Sequence, residues 1–293
     1  MSENNGHQTA MSSKDGPSND WLKLPQAERD AAYNNGAAVA DSKAHSAERN
    51  AASAEFRARH PAKLDLAYGG PERLKWDLYP AADPAAPCLA FIHGGYWQMN
   101  GREGFACLAE GPLARGWSVA MPSHTLAPDA SLTQIVAEIR AAFDWLAAHG
   151  AEHGIAGPIV ASGWSAGGHL TAMVLDHPAV VAGLAISGVY EIGPIRDTYL
   201  NEKLSLTDTE IEILSPMRLP VVQKPLMVSY GAAELPALVT NSEDFHALRA
   251  AAGAPGALVP IAGADHFTVL DELRSPDGIL TRRLGELIPT PHP

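Results

Sequence analysis

The chain has 293 residues, with 21 Lys and Arg against 33 Asp and Glu, giving a formal charge of −12. That balance repels phosphate backbones and anionic headgroups and so argues against nucleic acid or a membrane surface as partner. Two cysteines are too few for a disulfide framework, and no apolar run approaches the roughly 18 residues of a membrane span; a soluble cytoplasmic protein with Cys88 and Cys107 in its core is expected.

Residues 1–18 are polar, rich in Ser and Asn, and read as a disordered tail. From residue 19 to 61 the composition turns to Ala, Glu and Arg, which favours two helices, the second stopped at Pro61. After Pro61 short β-rich runs take over: KLDLAYG, RLKWDLYP, CLAFIHGG, WSVAMPSH, PIVASGW, VVAGLAISG, PLMVSYG and ALVPIAGAD. Only Gly70 and Pro71 separate the first two, too few residues for a parallel crossover, so an antiparallel hairpin at the sheet edge is predicted.

Helical segments separate most of the other runs. In 131–148 the residues Leu132, Ile135, Val136, Ile139, Phe143 and Leu146 repeat at the helical period. The alternation predicts one α/β domain over 62–290, an eight-stranded mostly parallel sheet flanked by helices. A stretch at about 189–223 exceeds an ordinary βα loop and reads as a short cap insertion. A last helix is expected to start at Ser275, with Pro276 in its first turn.

Gly163-Trp164-Ser165-Ala166-Gly167 matches the G-x-S-x-G elbow, with an apolar strand before it and a helix-compatible stretch after it. That context is the one an α/β-hydrolase fold uses to raise a nucleophilic serine above its sheet, and Ser165 is assigned that role. The strand FIHGGYW ends in paired glycines ahead of it, where the oxyanion loop of lipases and esterases belongs. Glycine lets backbone amides approach a developing oxyanion, so Gly94, Gly95 and Ala166 are the expected donors.

The base should follow the last strand, and Ala264-Asp265-His266-Phe267 places His266 there. His169, one turn past Ser165, reads as structural. The acid should follow PLMVSYG: Glu234 comes first, and Asp244, inside a predicted helix, is the alternative. Tyr96, Trp97 and Trp164 flank the reacting centre and suit a flat ring, with Tyr190 and Tyr199 as weaker contacts. Each could equally fill space behind the loop.

Taken together, HGGYW, GWSAGGHL, GAAELP and ADHF resemble the kynurenine formamidase (arylformamidase) branch of the α/β hydrolases, from Tyr33 onward. Ala32-Tyr33-Asn34-Asn35, Leu126-Ala127-Pro128, Ser187-Gly188-Val189-Tyr190 and Ser215-Pro216 resemble it too. The resemblance implies a Ser165, Glu234, His266 triad, an oxyanion loop over 93–95, and an N-terminal segment over the pocket. The chain departs from it where many members carry Asp in place of Glu234 and Tyr in place of His124.

The chemistry expected is acyl transfer through Ser165 without metal or organic cofactor, since neither an HExxH nor a paired-cysteine zinc pattern occurs. The substrate is a small molecule, with an aryl amide as first choice and a short-chain or aryl ester as the alternative. A hydrolase-fold protein that binds without catalysis is the remaining reading. Self-association as a homodimer is left open.

Overall fold

The computed structural model describes residues 21–288, so the stretch read as a tail lies outside the described residues. All eight β-rich runs form strands: β1 (Lys63–Ala67), β2 (Lys75–Tyr79), β3 (Cys88–Ile92), β4 (Ser118–Pro122), β5 (Ile159–Trp164), β6 (Val180–Ile186), β7 (Leu226–Gly231) and β8 (Leu258–Ile261). They build one sheet in the order β1-β2-β4-β3-β5-β6-β7-β8. β1 and β2 form the expected hairpin, β2 also runs antiparallel to β4, and the remaining pairs are parallel.

Burial follows from this layout. β3, β4, β5 and β7 are buried at every residue, as strands covered on both faces must be, whereas β1 at the edge alternates exposed and half-buried positions. Successive residues of β3 feed opposite layers: Cys88, Ala90 and Ile92 join the helix-covered core with Phe143 and Ile139. Leu89 and Phe91 join Phe105 and Leu184 on the other face. Both cysteines are free and buried.

The amphipathic helix spans Leu132–His149, buries the six residues named from its period, and starts at a Ser131/Gln134 capping box. The N-terminal region departs from expectation, with three helices instead of two: Gln26–Tyr33, Asn35–Ala38 and Ser42–Arg59. Asn34 causes the break, because its side chain accepts from the Ala37 amide and caps a new turn. The helix Ser42–Arg59 lies against residues 102–109, with Arg49 Nε donating to Gly104 O at 3.1 Å and its guanidinium 4.2 Å from the Phe105 ring centre.

The 187–224 region folds as short helical turns, Gly193–Asp197, Asn201–Leu204, Asp208–Leu214 and Pro216–Arg218. The final helix is a correction: it covers Ile279–Arg283, not a segment starting at Ser275. Ser275 precedes a proline, which drives it to an extended conformation (ψ 133°), so it ends the helix Asp271–Arg274. Gly278 then caps the next one. No helix among the described residues is long and apolar enough to cross a membrane.

A buried ion cluster ties β2 to the loop after β3. Arg102 Nε donates to Asp77 Oδ1 at 2.9 Å, and Arg57 and Asp65 complete the group. Burial pushes the Asp77 carboxyl up while the Arg102 and Arg57 charges pull it back. Removing Arg102 leaves the buried Asp77 charge with Arg57 as its remaining cation. Arg102→Ala is therefore expected to lower the unfolding free energy by about 1.5–3 kcal/mol, the cost of a lost hydrogen bond to a charged group, read from urea midpoints; a loss typical of a surface ion pair would show that water reaches Asp77.

Candidate active site

Ser165 sits between β5 and the helix Ala166–Met173, at φ 58° and ψ −118°. A non-glycine residue there carries strain of about 1–3 kcal/mol, which the surroundings must enforce. They do so by close approach. A Cβ on Gly163 would lie 2.3 Å from Gly167 O, and one on Gly167 would lie 2.0 Å from Ile92 O. Only glycines let strand, turn and helix pass at this spacing, and Ser165 N is held by Ile186 O at 2.8 Å.

Glu234 lies three residues past the end of β7, and His266 follows β8. His266 Nδ1 donates to Glu234 Oε2 at 2.8 Å. The other carboxylate oxygen accepts from Ser187 Oγ and from the Gly231 amide, each at 2.6 Å. Both partners are buried, Glu234 to 9% exposure and His266 to 3%. The Nδ1 bond leaves Nε2 as the ring nitrogen not engaged by the carboxylate. Asp244, the alternative acid, is exposed on the helix Pro236–Ala251.

The two loops fit into each other: Ala233 N donates to Ala264 O at 2.9 Å, and a Cβ on Gly231 would meet that oxygen at 2.4 Å. Trp164 links His266 to the elbow, since its Nε1 donates to His266 O at 2.8 Å and the two rings stand 4.8 Å apart. Among the described residues no hydrogen bond holds the Ser165 hydroxyl.

The loop after β3 lies against the elbow, where a Cβ on Gly94 would stand 3.1 Å from Ser165 Cβ. Gly95 (φ 127°), Tyr96 (φ 55°) and Trp97 (φ 59°) turn it sharply. Gly94 O accepts from His93 Nδ1 and Asn100 Nδ2, both at 3.0 Å. Arg73 steadies Asn100 in turn, bonding its carbonyl at 2.5 Å and His124 O at 2.8 Å. A peptide is planar, so fixing the Gly94 carbonyl aims the Gly95 N–H the opposite way. Among the described residues the Gly94, Gly95 and Ala166 amides donate to no acceptor.

Beside Ser165 lies a cavity of about 10 Å³, lined by Tyr33, Asn35, Tyr96, Trp97, Ser165, Ala166, Val189, Ile195 and Leu238; that is room for about one water. Of the five aromatic contacts expected, Tyr96 and Trp97 line it. Trp164 does not, because its ring packs between Phe105 and His266. Tyr190 does not either: it is fully buried and stacked on Phe245 at 4.2 Å. Nor does Tyr199, which is 37% exposed.

Residues with no assigned role in the sequence reading also converge here. Ser187 holds the acid, Asn100 holds the loop, and Tyr33, Asn35, Val189, Ile195 and Leu238 wall the cavity. Among the described residues no group of three or more His, Cys, Asp or Glu side chains could hold a metal ion.

Three further imidazoles are buried nearby. Burial pushes His93 and His169 down to about 4, and pushes His124, stacked 4.7 Å from His93, well below its ordinary value. The unfolded chain protonates them near 6.5 while the folded one resists, so it binds more protons on acidification. Their contribution to stability is complete above about pH 6.5 and is lost as pH falls towards about 4. Urea midpoints measured from pH 7 to 4.5 should fall steadily, and His169→Gln should flatten the slope; an unchanged slope in that variant would contradict a neutral, buried His169.

Known proteins extend the picture. Residues 77–177 match the BD-FAE family model. The chain is 25% identical over 241 residues to a kynurenine formamidase of Danio rerio, covering 77% of this chain and 81% of the relative. The corresponding protein of Drosophila melanogaster is 27% identical over 221 residues, covering 69% and 73%. The crystal structure of a candidate thioesterase from Silicibacter sp. TM1040 superimposes with TM-score 0.77 and 31% identity over 87% of this chain and 98% of that one. Carboxyl esterase 2 of Tuber melanosporum shares the fold, with TM-score 0.67 and 18% identity over 78% and 87%. Likeness of this extent makes the chain a hydrolase of the α/β-hydrolase superfamily, with kynurenine formamidases among the proteins it is similar to.

Proposed function

We propose that the protein is a serine hydrolase cleaving a small aryl amide, of the N-acyl or N-formyl arylamine type, through an acyl-enzyme on Ser165. The observation that carries this reading is the buried His266–Glu234 pair at 2.8 Å, tied through Trp164 to an elbow whose serine has Gly94 packed on it and lines a small cavity. In the reaction His266 Nε2 takes the Ser165 proton as Oγ adds to the carbonyl, and Glu234 stabilises the imidazolium. Gly94, Gly95 and Ala166 amides receive the oxyanion. Collapse returns the proton to the departing amine, and water activated by His266 frees the acyl group.

Two observations favour an aromatic amide. The cavity wall is built from Tyr33, Tyr96 and Trp97, rings that suit a flat apolar group, and two relatives are named kynurenine formamidase. An aryl or short-chain ester would use the same machinery, and the thioester-directed name of the Silicibacter relative favours keeping that second reading. The N-terminal segment supplies Tyr33 and Asn35, and the insertion supplies Val189 and Ile195; together they act as a cover, and a substrate widens the cavity by displacing it.

N-acyl anilides and matched phenyl esters assayed side by side test the reading. Anilide turnover is expected, and Ser165→Ala should reduce it by about 10⁴-fold or more. Unchanged turnover in that variant would remove the nucleophile, and turnover of esters alone would remove the amidase assignment while leaving the esterase one.

A further inference from the structure

One polar atom in the cavity wall has no task within the fold. Asn35 is 4% exposed, and its Oδ1 is shut off from solvent without a hydrogen-bond donor among the described residues. Buried acceptors are nearly always paired, so an orphan beside a nucleophile calls for an explanation. The main chain that carries it is held in place. Asn34 caps the short helix that begins at Asn35, and the Asn35 amide donates to Tyr96 Oη at 3.1 Å. That hydroxyl donates onward to Tyr33 O at 3.1 Å, so the oxyanion loop itself fixes where Asn35 stands.

The rest of the wall offers no alternative acceptor of this kind. Tyr96 Oη is already engaged, Val189, Ile195 and Leu238 are apolar, and the other unpartnered polar atom, Trp97 Nε1, is a donor. Asn35 and Ser165 line the same cavity, so once the cover has closed again over a substrate, a group bonded to the carbon under attack faces the wall to which Asn35 belongs.

We propose that Asn35 Oδ1 accepts the N–H of the scissile amide and is the residue that makes the site prefer amides bearing that hydrogen over esters. The inference rests on the amide-cleaving reading above. When Ser165 Oγ adds to the carbonyl carbon, the C=O electron pair moves to oxygen and the amide nitrogen loses its conjugation and becomes pyramidal. Its lone pair must face the imidazole to receive the proton that His266 carries, so its own hydrogen must point elsewhere. An acceptor on that side holds the productive arrangement. The C–N bond then breaks and the arylamine leaves with the proton from His266. An ester oxygen has no hydrogen to offer, so an ester leaves Oδ1 unpaired at the same step, and sites built to bond a donor discriminate against substrates lacking it.

The probes are formanilide, N-methylformanilide and phenyl formate, with the intact protein and Asn35→Leu, which removes the acceptor and keeps the bulk. In the unaltered protein kcat/KM should favour formanilide over N-methylformanilide, a comparison that needs no variant to fold. In Asn35→Leu the ratio of kcat/KM for formanilide to that for phenyl formate should fall by about 5- to 150-fold. A ratio that stays put, whether both activities survive or both drop together, overturns the role of Asn35 and leaves the amidase reading standing; a water satisfying Oδ1 gives that result. Failure of the unaltered protein to cleave any anilide while it cleaves phenyl formate defeats the amidase reading first and this inference with it.

Discussion

The site is built on a backbone crossing that tolerates no side chain. The helix after β5 passes so near the end of β3 that a methyl group on Gly167 would lie 2.0 Å from a carbonyl oxygen. This proximity seats Gly94 on the serine and forces Ser165 into its positive φ. Strain of that kind persists only where neighbours over-determine it, and here the parallel pairings of β3 and β6 with β5 do so from both sides.

A second constraint works at the far side of the sheet. Glu234 divides its oxygens, one for His266 and one for Ser187 and the Gly231 amide. A carboxylate gripped at one oxygen cannot swing, so the other has a fixed direction and the imidazole a fixed tautomer. The fold achieves this with loops following adjacent parallel strands, whose carboxyl ends lie together.

Much of this was legible in the residues. Turn glycines and alternating apolar runs gave the eight strands and the antiparallel edge, since both depend on local chemistry. Ser165, Glu234 and His266 each follow a strand in the chain order of this fold, and the structure brings Glu234 and His266 into contact. What stayed hidden depends on long-range contacts. Nothing near Ser187 announces that it will hold a residue 47 positions away, and only the resemblance, not the local chemistry around Asn35, set the N-terminal segment over the pocket. Trp164 misled for a simpler reason: it is the last residue of β5 and its ring joins the layer of Phe105 and Leu184, while Ser165 turns off the strand at positive φ. Ser275 misled because a proline that suits a helix start equally ends the helix before it.

The hydroxyl of Tyr96 has a wider meaning. It belongs to the loop that carries the Gly95 amide, yet it grips the main chain of the N-terminal segment at Tyr33 and Asn35. If substrate enters by lifting that segment, the same motion pulls on the peptide proposed to receive the oxyanion. Under the proposed mechanism, entry of substrate and the setting of the Gly95 amide would then be coupled through a single hydroxyl.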